Sequence, residues 1–278
     1  MEREKKETPD LSGIEVFECL TSFRKTLFEN IIDHLDLRSV SYGLDAGCAT
    51  GGLTELIGRK IGSSGKVTGL DLSDEYIRYA KSKRSGGGIH FLKGDVTALP
   101  FSNNTFDWVW SADTVWPGPA DLGCPAPEPK GIVNEYYRAL KPGGSLYLVY
   151  WSSQKLLPGY PLLESRLNAT TVASAPFGTG MEPKNHFMNA RCWLEQAGFG
   201  NIRSKTFAGD FSGPLSENDK MALNILFRML WGTSQSEVSP QDRKEFSELS
   251  DPGSDRYILN DPHYCGFYTY TLFSGDKK

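Results

Sequence analysis

The chain has 278 residues, 30 Lys+Arg against 34 Asp+Glu for a net charge of −4, and is 39% hydrophobic and 12% aromatic. This is enough chain and enough apolar matter for one large folded domain. It excludes a disordered polymer and, without a basic excess, a general nucleic-acid binder. No apolar run approaches the ~18–20 residues that cross a bilayer, and the charged start Met1-Glu2-Arg3-Glu4-Lys5-Lys6-Glu7 is not followed by the apolar stretch of a secretory leader.

Residues 1–12 are polar and predict a disordered start. From Ile14 to Leu37 the apolar residues Phe17, Leu20, Phe23, Leu27, Ile31 and Leu35 recur at three- and four-residue steps, which predicts a helix broken at most once. Strands and helices then alternate: strand Tyr42 to Asp45, helix Leu53 to Ile61, strand Val67 to Asp71, and a helix capped by Ser73 with Asp74 and Glu75 in its first turn. After the loop Gly86-Gly87-Gly88 come strands Ile89 to Leu92 and Trp108 to Ala112, and a helix from Gly131 to Leu140. Lys141-Pro142-Gly143-Gly144 predicts a turn, and Ser145 to Tyr150 a strand. Short turns between alternating strands and helices predict a doubly wound, parallel α/β sheet. Beyond Trp151 the regularity fades. Residues 152–185 are rich in Pro, Gly, Ser and aromatics; further on, Phe187 to Ala197 and Met221 to Trp231 read as helices, and Ile202 to Phe207 and Tyr264 to Phe273 as strands.

The five cysteines, Cys19, Cys48, Cys124, Cys192 and Cys265, are scattered with no C-x-x-C pair, and the four histidines have no ligand spacing. Reduced thiols in a cytoplasm and no metal site are the expectation.

Chemistry concentrates in Gly43-Leu44-Asp45-Ala46-Gly47-Cys48-Ala49-Thr50-Gly51-Gly52, between a strand and a helix. Glycines there allow a tight turn and close approach to a ligand, and the helix start offers unpaired N–H groups. Asp71 ends the next strand, twenty residues past Gly51, where a carboxylate can accept both hydroxyls of a ribose. Gly94-Asp95-Val96 follows the third strand, where a carboxylate beside an apolar residue can meet an adenine edge. A dinucleotide fingerprint would take the register Gly47, Ala49 and Gly52 and so lose its middle glycine; Asp45 would also repel a pyrophosphate while suiting an ammonium.

The segment Asp45-Ala46-Gly47-Cys48-Ala49-Thr50-Gly51 resembles motif I of the class I S-adenosylmethionine-dependent methyltransferases, with Ala49 in place of the commoner middle glycine. Leu99-Pro100-Phe101, Phe106-Asp107 and Leu140-Lys141-Pro142-Gly143-Gly144 are similar to later motifs of the group that includes the ubiquinone/menaquinone-biosynthesis methyltransferases. The likeness covers roughly residues 40–151 and continues weakly through Trp193-Leu194-Glu195-Gln196-Ala197-Gly198-Phe199. The resemblance implies a doubly wound, Rossmann-like methyltransferase fold with a seven-stranded sheet, its last strand antiparallel. It also implies S-adenosyl-L-methionine as cofactor, with S-adenosyl-L-homocysteine as product. Residue by residue, Asp45 would serve the methionine moiety, Gly47, Ala49 and Gly51 would let the backbone pass beside the ligand, and Asp71 would hold the ribose. Leu72 would lie against the adenine, Asp95 and Val96 would flank it, and Ser111 would lie near the sulfonium.

On the acceptor side, Ser111-Ala112-Asp113-Thr114-Val115-Trp116 stands where base- and amide-methylating relatives of this fold carry Asn/Asp-Pro-Pro-Tyr. Without that motif, a small-molecule acceptor is expected. Asp113 is the candidate base or acceptor contact. Trp116, Trp151, Tyr160 and Phe177 either line an aromatic pocket or belong to the core, and Cys124 reads as a loop thiol. The expectation is one methyltransferase domain over residues 13–278, with 152–185 and 208–262 as helical lid insertions on the acceptor side. It would move a methyl group by in-line displacement. An NAD-dependent oxidoreductase and a non-catalytic protein that keeps the fold are the alternatives.

Overall fold

A computed structural model of the protein describes residues 13–35, 37, 40–118, 120, 123–177, 181–232 and 236–278. The disorder expected for residues 1–12 lies outside them. The helices are α1 (Gly13–His34), α2 (Gly52–Ile61), α3 (Asp74–Arg84), α4 (Lys130–Ala139), α5 (Pro161–Asn168), α6 (Thr171–Ser174), α7 (Ala190–Gln196), α8 (Glu217–Trp231) and α9 (Pro240–Ser250). The strands are β1 (Tyr42–Ala46), β2 (Lys66–Asp71), β3 (Ile89–Lys93), β4 (Phe106–Ala112), β5 (Leu140–Lys155), β6 (Phe199–Ser212) and β7 (Cys265–Lys277).

The seven strands form one sheet in the order β3-β2-β1-β4-β5-β7-β6, with β1 to β5 parallel. Strand β7 is antiparallel to β5: Ser145 bonds Asp276 and Ser152 bonds Thr269, so a seven-residue advance on one strand is a seven-residue retreat on the other. The pairs Asn201–Asp276 and Thr206–Thr271 give β6 and β7 the same opposed sense. This is the seven-stranded sheet with antiparallel last strand that the resemblance implied. The strand order reverses between β1 and β4, and at such a switch the following loops part and leave a crevice at the carboxyl ends. Residues 44–46 of β1, 67–70 of β2 and 108–111 of β4 are buried, as expected for central strands covered on both faces.

Local chemistry explains the helix starts. The Ser73 hydroxyl accepts from Tyr76 N at 3.3 Å, with Asp74 and Glu75 in the first turn of α3. Ser216 and Asp219 form a reciprocal capping box on α8. Helix α1 is unbroken. Lys141-Pro142-Gly143-Gly144, expected as a turn, lies within β5. The ladder absorbs it as a bulge, because Leu140 pairs with Phe106 and Ser145 already with Trp108, and Gly143 takes φ 76°. The helix expected from Phe187 to Ala197 begins instead with a 3-10 turn at Phe187–Asn189.

The chain divides into two compact units. The larger comprises residues 24–152, 179–207 and 269–278 and holds most of the sheet; its core includes Leu44, Ile57, Leu70, Trp110, Ile132 and Leu148. The smaller comprises the described residues within 13–23, 153–177 and 208–268, with Leu163, Leu167, Leu223, Phe227, Trp231 and Phe246 each buried. Stacked Phe227 and Trp231, with Phe246 edge-on to Trp231, tie α8 to α9. Among the described residues no helix is long and apolar enough to cross a membrane.

Gly43 of β1 stands opposite Trp108 of β4, and a Cβ there would lie 2.0 Å from the indole ring. The ring is held in place, since its Nε1 donates to Ser41 Oγ at 3.0 Å. Gly43→Ala is therefore expected to destabilise the larger unit by about 1–3 kcal/mol or more through overpacking. An unchanged urea midpoint would refute this account of the β1–β4 contact.

Candidate active site

Strand β1 delivers Asp45 and Ala46 to the switch point, and the chain then turns through Gly47 to Gly51 into α2. The turn uses left-handed backbone three times, at Gly47 (φ 84°), Ala49 (φ 45°) and Gly51 (φ 82°). Ala49 adopts it despite its side chain.

The turn is pinned from β2. Leu70 O accepts from both Gly47 N (2.7 Å) and Cys48 N (3.0 Å). The Asp71 carboxylate accepts from Ala49 N at 2.8 Å on one oxygen and from Ser73 N at 2.9 Å on the other. A carboxylate has about four lone-pair sites, so each Asp71 oxygen keeps one for a ligand hydroxyl. At the far end Arg84 donates to Thr50 O (3.1 Å) and to Glu55 (3.1 Å). Leu72, next to Asp71, is 67% exposed, an apolar surface beside a polar cradle.

Asp45 is 1% exposed, and its Oδ2 accepts from Thr54 Oγ1 at 2.6 Å. Burial pushes its carboxyl up to about 7; the Thr54 hydrogen bond opposes that rise and the Asp71 charge adds to it. The Cys48 thiol is driven up by the same burial and the same two carboxylates, which leaves it protonated and unreactive. Asp95 lies beyond β3 on an exposed turn, where its Oδ1 accepts from Thr97 N and Thr97 Oγ1, each at 2.7 Å. The preceding Gly94 N donates to Asp71 O at 2.9 Å, which brings this turn beside the Asp71 segment; Val96 is buried.

Ser111 is 1% exposed, and its hydroxyl donates to Ala46 O at 3.0 Å, bracing β4 against the end of β1. Thr114 sits over Gly47: a Cβ on that glycine would meet Thr114 Oγ1 at 2.1 Å. Asp113 is 28% exposed at its side chain, with both oxygens engaged: Oδ1 accepts from Trp151 N (2.9 Å), and Oδ2 from Tyr270 OH (2.6 Å) and Arg24 (3.4 Å). Burial raises its carboxyl, against the lowering effect of those three partners. Trp116 packs edge-on against Tyr150 and Phe187, and Trp151 edge-on against Tyr270. Tyr160 belongs to the smaller unit, where its hydroxyl meets Arg256 at 3.3 Å. The structure thus gathers Asp45, Gly47, Ala49, Gly51 and Asp71 around one turn, with Leu72 and Asp95 on adjoining segments.

The sequence reading missed Thr54, Thr114, Arg24 and Tyr270. Two left a signal. Thr54 is the polar neighbour of Leu53 where the helix turns inward, and Arg24 interrupts the apolar stripe of Leu20, Phe23, Leu27 and Phe28. Among the described residues no group of three His, Cys, Asp or Glu side chains forms a metal site.

Because Asp45 holds a proton in the native state that the unfolded chain releases, its contribution to stability is present below about pH 4 and lost as pH rises to about 7. Asp45→Asn lacks that titration. The stability of wild type relative to Asp45→Asn should fall by up to about 4 kcal/mol between pH 4 and 8 in denaturant titrations, and a flat difference would contradict the buried, proton-bearing carboxyl.

Residues 44–144 match the family described as a methyltransferase domain. The chain is similar to the demethylmenaquinone methyltransferase of Staphylococcus epidermidis, 32% identical over 149 residues, which are 53% of this chain and 56% of that one. It is also similar to sterol 24-C-methyltransferase ERG6 of Saccharomyces cerevisiae, 32% identical over 170 residues, which are 59% of this chain and 40% of the other. The matched region therefore spans about half the length of these curated relatives. In fold, the chain is similar to phosphoethanolamine N-methyltransferase 2 of Haemonchus contortus, solved with S-adenosyl-L-methionine, with a TM-score of 0.53 at 14% identity, covering 96% of this chain and 57% of that one.

Proposed function

We propose that this chain is a class I S-adenosylmethionine-dependent methyltransferase that transfers a methyl group to a small-molecule acceptor, a reading supported by its matched domain and its sheet order. The observation that carries the reading is the Asp71 carboxylate, at the end of β2 beside the turn that follows β1, with one lone pair free on each oxygen. A vicinal diol such as a ribose would complete it. Leu72 supplies the exposed apolar face that an adenine would cover, and the Asp95 turn borders it. Asp45 supports an ammonium-bearing ligand: a buried acid resting near neutrality ionises once a cation arrives, whereas a diphosphate would keep Asp45 protonated and gain no attraction from it. That argues against the nicotinamide alternative.

When bound, S-adenosyl-L-methionine supplies an activated methyl and a neutral thioether leaving group. The chain itself then has to bind, orient and exclude water. Gly47, Ala49 and Gly51 give the ligand a path along bare backbone, Asp71 fixes the ribose, and Asp45 receives the amino-acid end. In-line transfer makes the acceptor's bond to the methyl carbon as the carbon–sulfur bond breaks, and the acceptor's proton, where it has one, leaves to solvent.

A small, apolar acceptor is supported by the two curated relatives, named for demethylmenaquinone and for a sterol. Residues 152–185 and 208–262 belong to the same proposal as an acceptor-side lid, and its support is that most of them gather into a unit of their own. A cytoplasmic setting is supported by the five cysteines, all free thiols.

Calorimetric titration with S-adenosylhomocysteine, beside NAD, tests the reading. Wild type should bind S-adenosylhomocysteine at micromolar levels, and Asp71→Ala should weaken it by about tenfold or more, because the variant loses both the ribose acceptor and the clamp on Ala49. Binding of NAD without S-adenosylhomocysteine would install the oxidoreductase reading. Tight S-adenosylhomocysteine binding with no methyl transfer across acceptor classes would install the non-catalytic one.

A further inference from the structure

We propose that Arg24, Asp113 and Tyr270 are positioning residues that hold the loop after β4, so that Thr114 presses on Gly47 and fixes the methyl-donor end of the site. This rests on reading that site as an S-adenosylmethionine pocket.

Asp113 takes φ 47°, in the left-handed region. Backbone of this kind persists only where its surroundings determine it, and here they do. Its N–H donates to Val149 O at 2.9 Å, Oδ1 accepts from Trp151 N, and Oδ2 accepts from the Tyr270 hydroxyl and the Arg24 guanidinium. Arg24 also donates to that hydroxyl and lies over the rings of Phe28 (5.6 Å) and Tyr270 (5.9 Å). Tyr270 is thus a relay: it accepts from the cation and donates to the anion. Its ring is 0% exposed on β7, and Arg24 sits on α1, 89 residues from Asp113. Three distant segments converge on one carboxylate.

That convergence is costly unless complete. With the pair intact the two charges offset each other; without Arg24 or Asp113 its partner is left a partly buried charge. A general base would turn an open lone pair toward its substrate. Asp113 instead commits three of its roughly four lone-pair sites to the protein, two on Oδ2 and one on Oδ1, which is the arrangement of an anchor.

What the anchor holds is the next residue. Thr114 Oγ1 donates to Ala112 O at 3.0 Å, and its side chain occupies the space a Cβ on Gly47 would need. Gly47 in turn is fixed through Leu70 O. A shift of the Asp113 loop would lift Thr114 from the first glycine of the turn, at the end nearest Asp45. Gly47 is therefore a glycine for two reasons: its φ of 84° and the threonine lying on it.

The test is S-adenosylhomocysteine affinity by calorimetry, with thermal unfolding recorded alongside, for wild type, Tyr270→Phe, Asp113→Ala, Thr114→Ala and the Asp113→Ala/Thr114→Ala double variant. Tyr270→Phe, Asp113→Ala and Thr114→Ala should each weaken binding about tenfold, and the double variant should bind no worse than its singles, because both changes release the same contact. Arg24→Lys should retain affinity that Arg24→Met loses. Wild-type-like affinity in the variants, additive losses in the double variant, or losses that merely follow the melting temperature would overturn the proposal while leaving the pocket reading intact. Failure of wild type itself to bind would remove both. If Asp113→Ala does not fold, Tyr270→Phe, which deletes one hydroxyl, decides the matter.

Discussion

The Asp71 carboxylate ties the turn after β1 to the end of β2 and the start of α3. One oxygen holds Ala49 N in the turn after β1, the other holds Ser73 N at the start of α3, and the residue itself ends β2. Its predecessor Leu70 offers one carbonyl to two successive N–H groups, of Gly47 and Cys48. The turn has little hydrogen bonding of its own, with Gly51 N on Cys48 O as its internal bond, so β2 supplies what the turn lacks. The turn's shape is thereby tied to the β1–β2 register, in which Asp45 pairs with Gly69 and Ala46 with Leu70. A one-residue slip would move Asp71 away from Ala49 and turn its side chain to the other face of the sheet.

The same carboxylate contributes to the electrostatics. Burial above all, with the Asp71 charge adding to it, makes Asp45 keep its proton to about pH 7. On the proposed reading, Asp71 serves the hydroxyl end of the ligand and Asp45 its cationic end. Burial, with the two carboxylates adding to it, likewise keeps the Cys48 thiol protonated. The arrangement needs neither a reactive thiol nor an accessible base, which fits a reaction whose leaving group arrives with the cofactor.

Much of this was legible in the sequence because it is local. Gly47 to Gly51 advertises a turn, Asp71 lies at the end of an apolar strand, and Ser73 caps the helix that follows. Each signal spans a few residues. The illegible parts are long-range or polar. Tyr270 and Arg24 are 246 residues apart, and nothing in either neighbourhood announces the other. Helix α9 escaped because its sequence, Pro-Gln-Asp-Arg-Lys-Glu-Phe-Ser-Glu-Leu-Ser, buries little beyond Phe246 and Leu249, which leaves no apolar stripe to read. The cue that existed was Ser239-Pro240 with Asp242 at the capping position, where the Ser239 hydroxyl accepts from Asp242 N. The Lys141 to Gly144 segment reads as a turn by composition, and only the pairing of β4 with β5 shows that the sheet swallows it.

Backbone strain marks the same place by a different route. Four non-glycine residues among those described have positive φ: Ala49, Asn104, Asp113 and Asn201. Asparagine tolerates the left-handed region, so Asn104 and Asn201 are unremarkable turn residues. Ala49 has no polar side chain to compensate, and Asp113 spends its own on distant partners. Both follow the carboxyl ends of the two strands that flank the topological switch, and both are held by hydrogen bonds from other strands: Ala49 N to Asp71, and Asp113 N to Val149 O. A fold seeking stability alone would put glycine at the first and a shorter connection at the second. Strain kept at two facing loops, and offset by bonds from β2 and β5, is what a rigid, preorganised pocket requires, because a loop free to relax would have to be reordered by each ligand it bound.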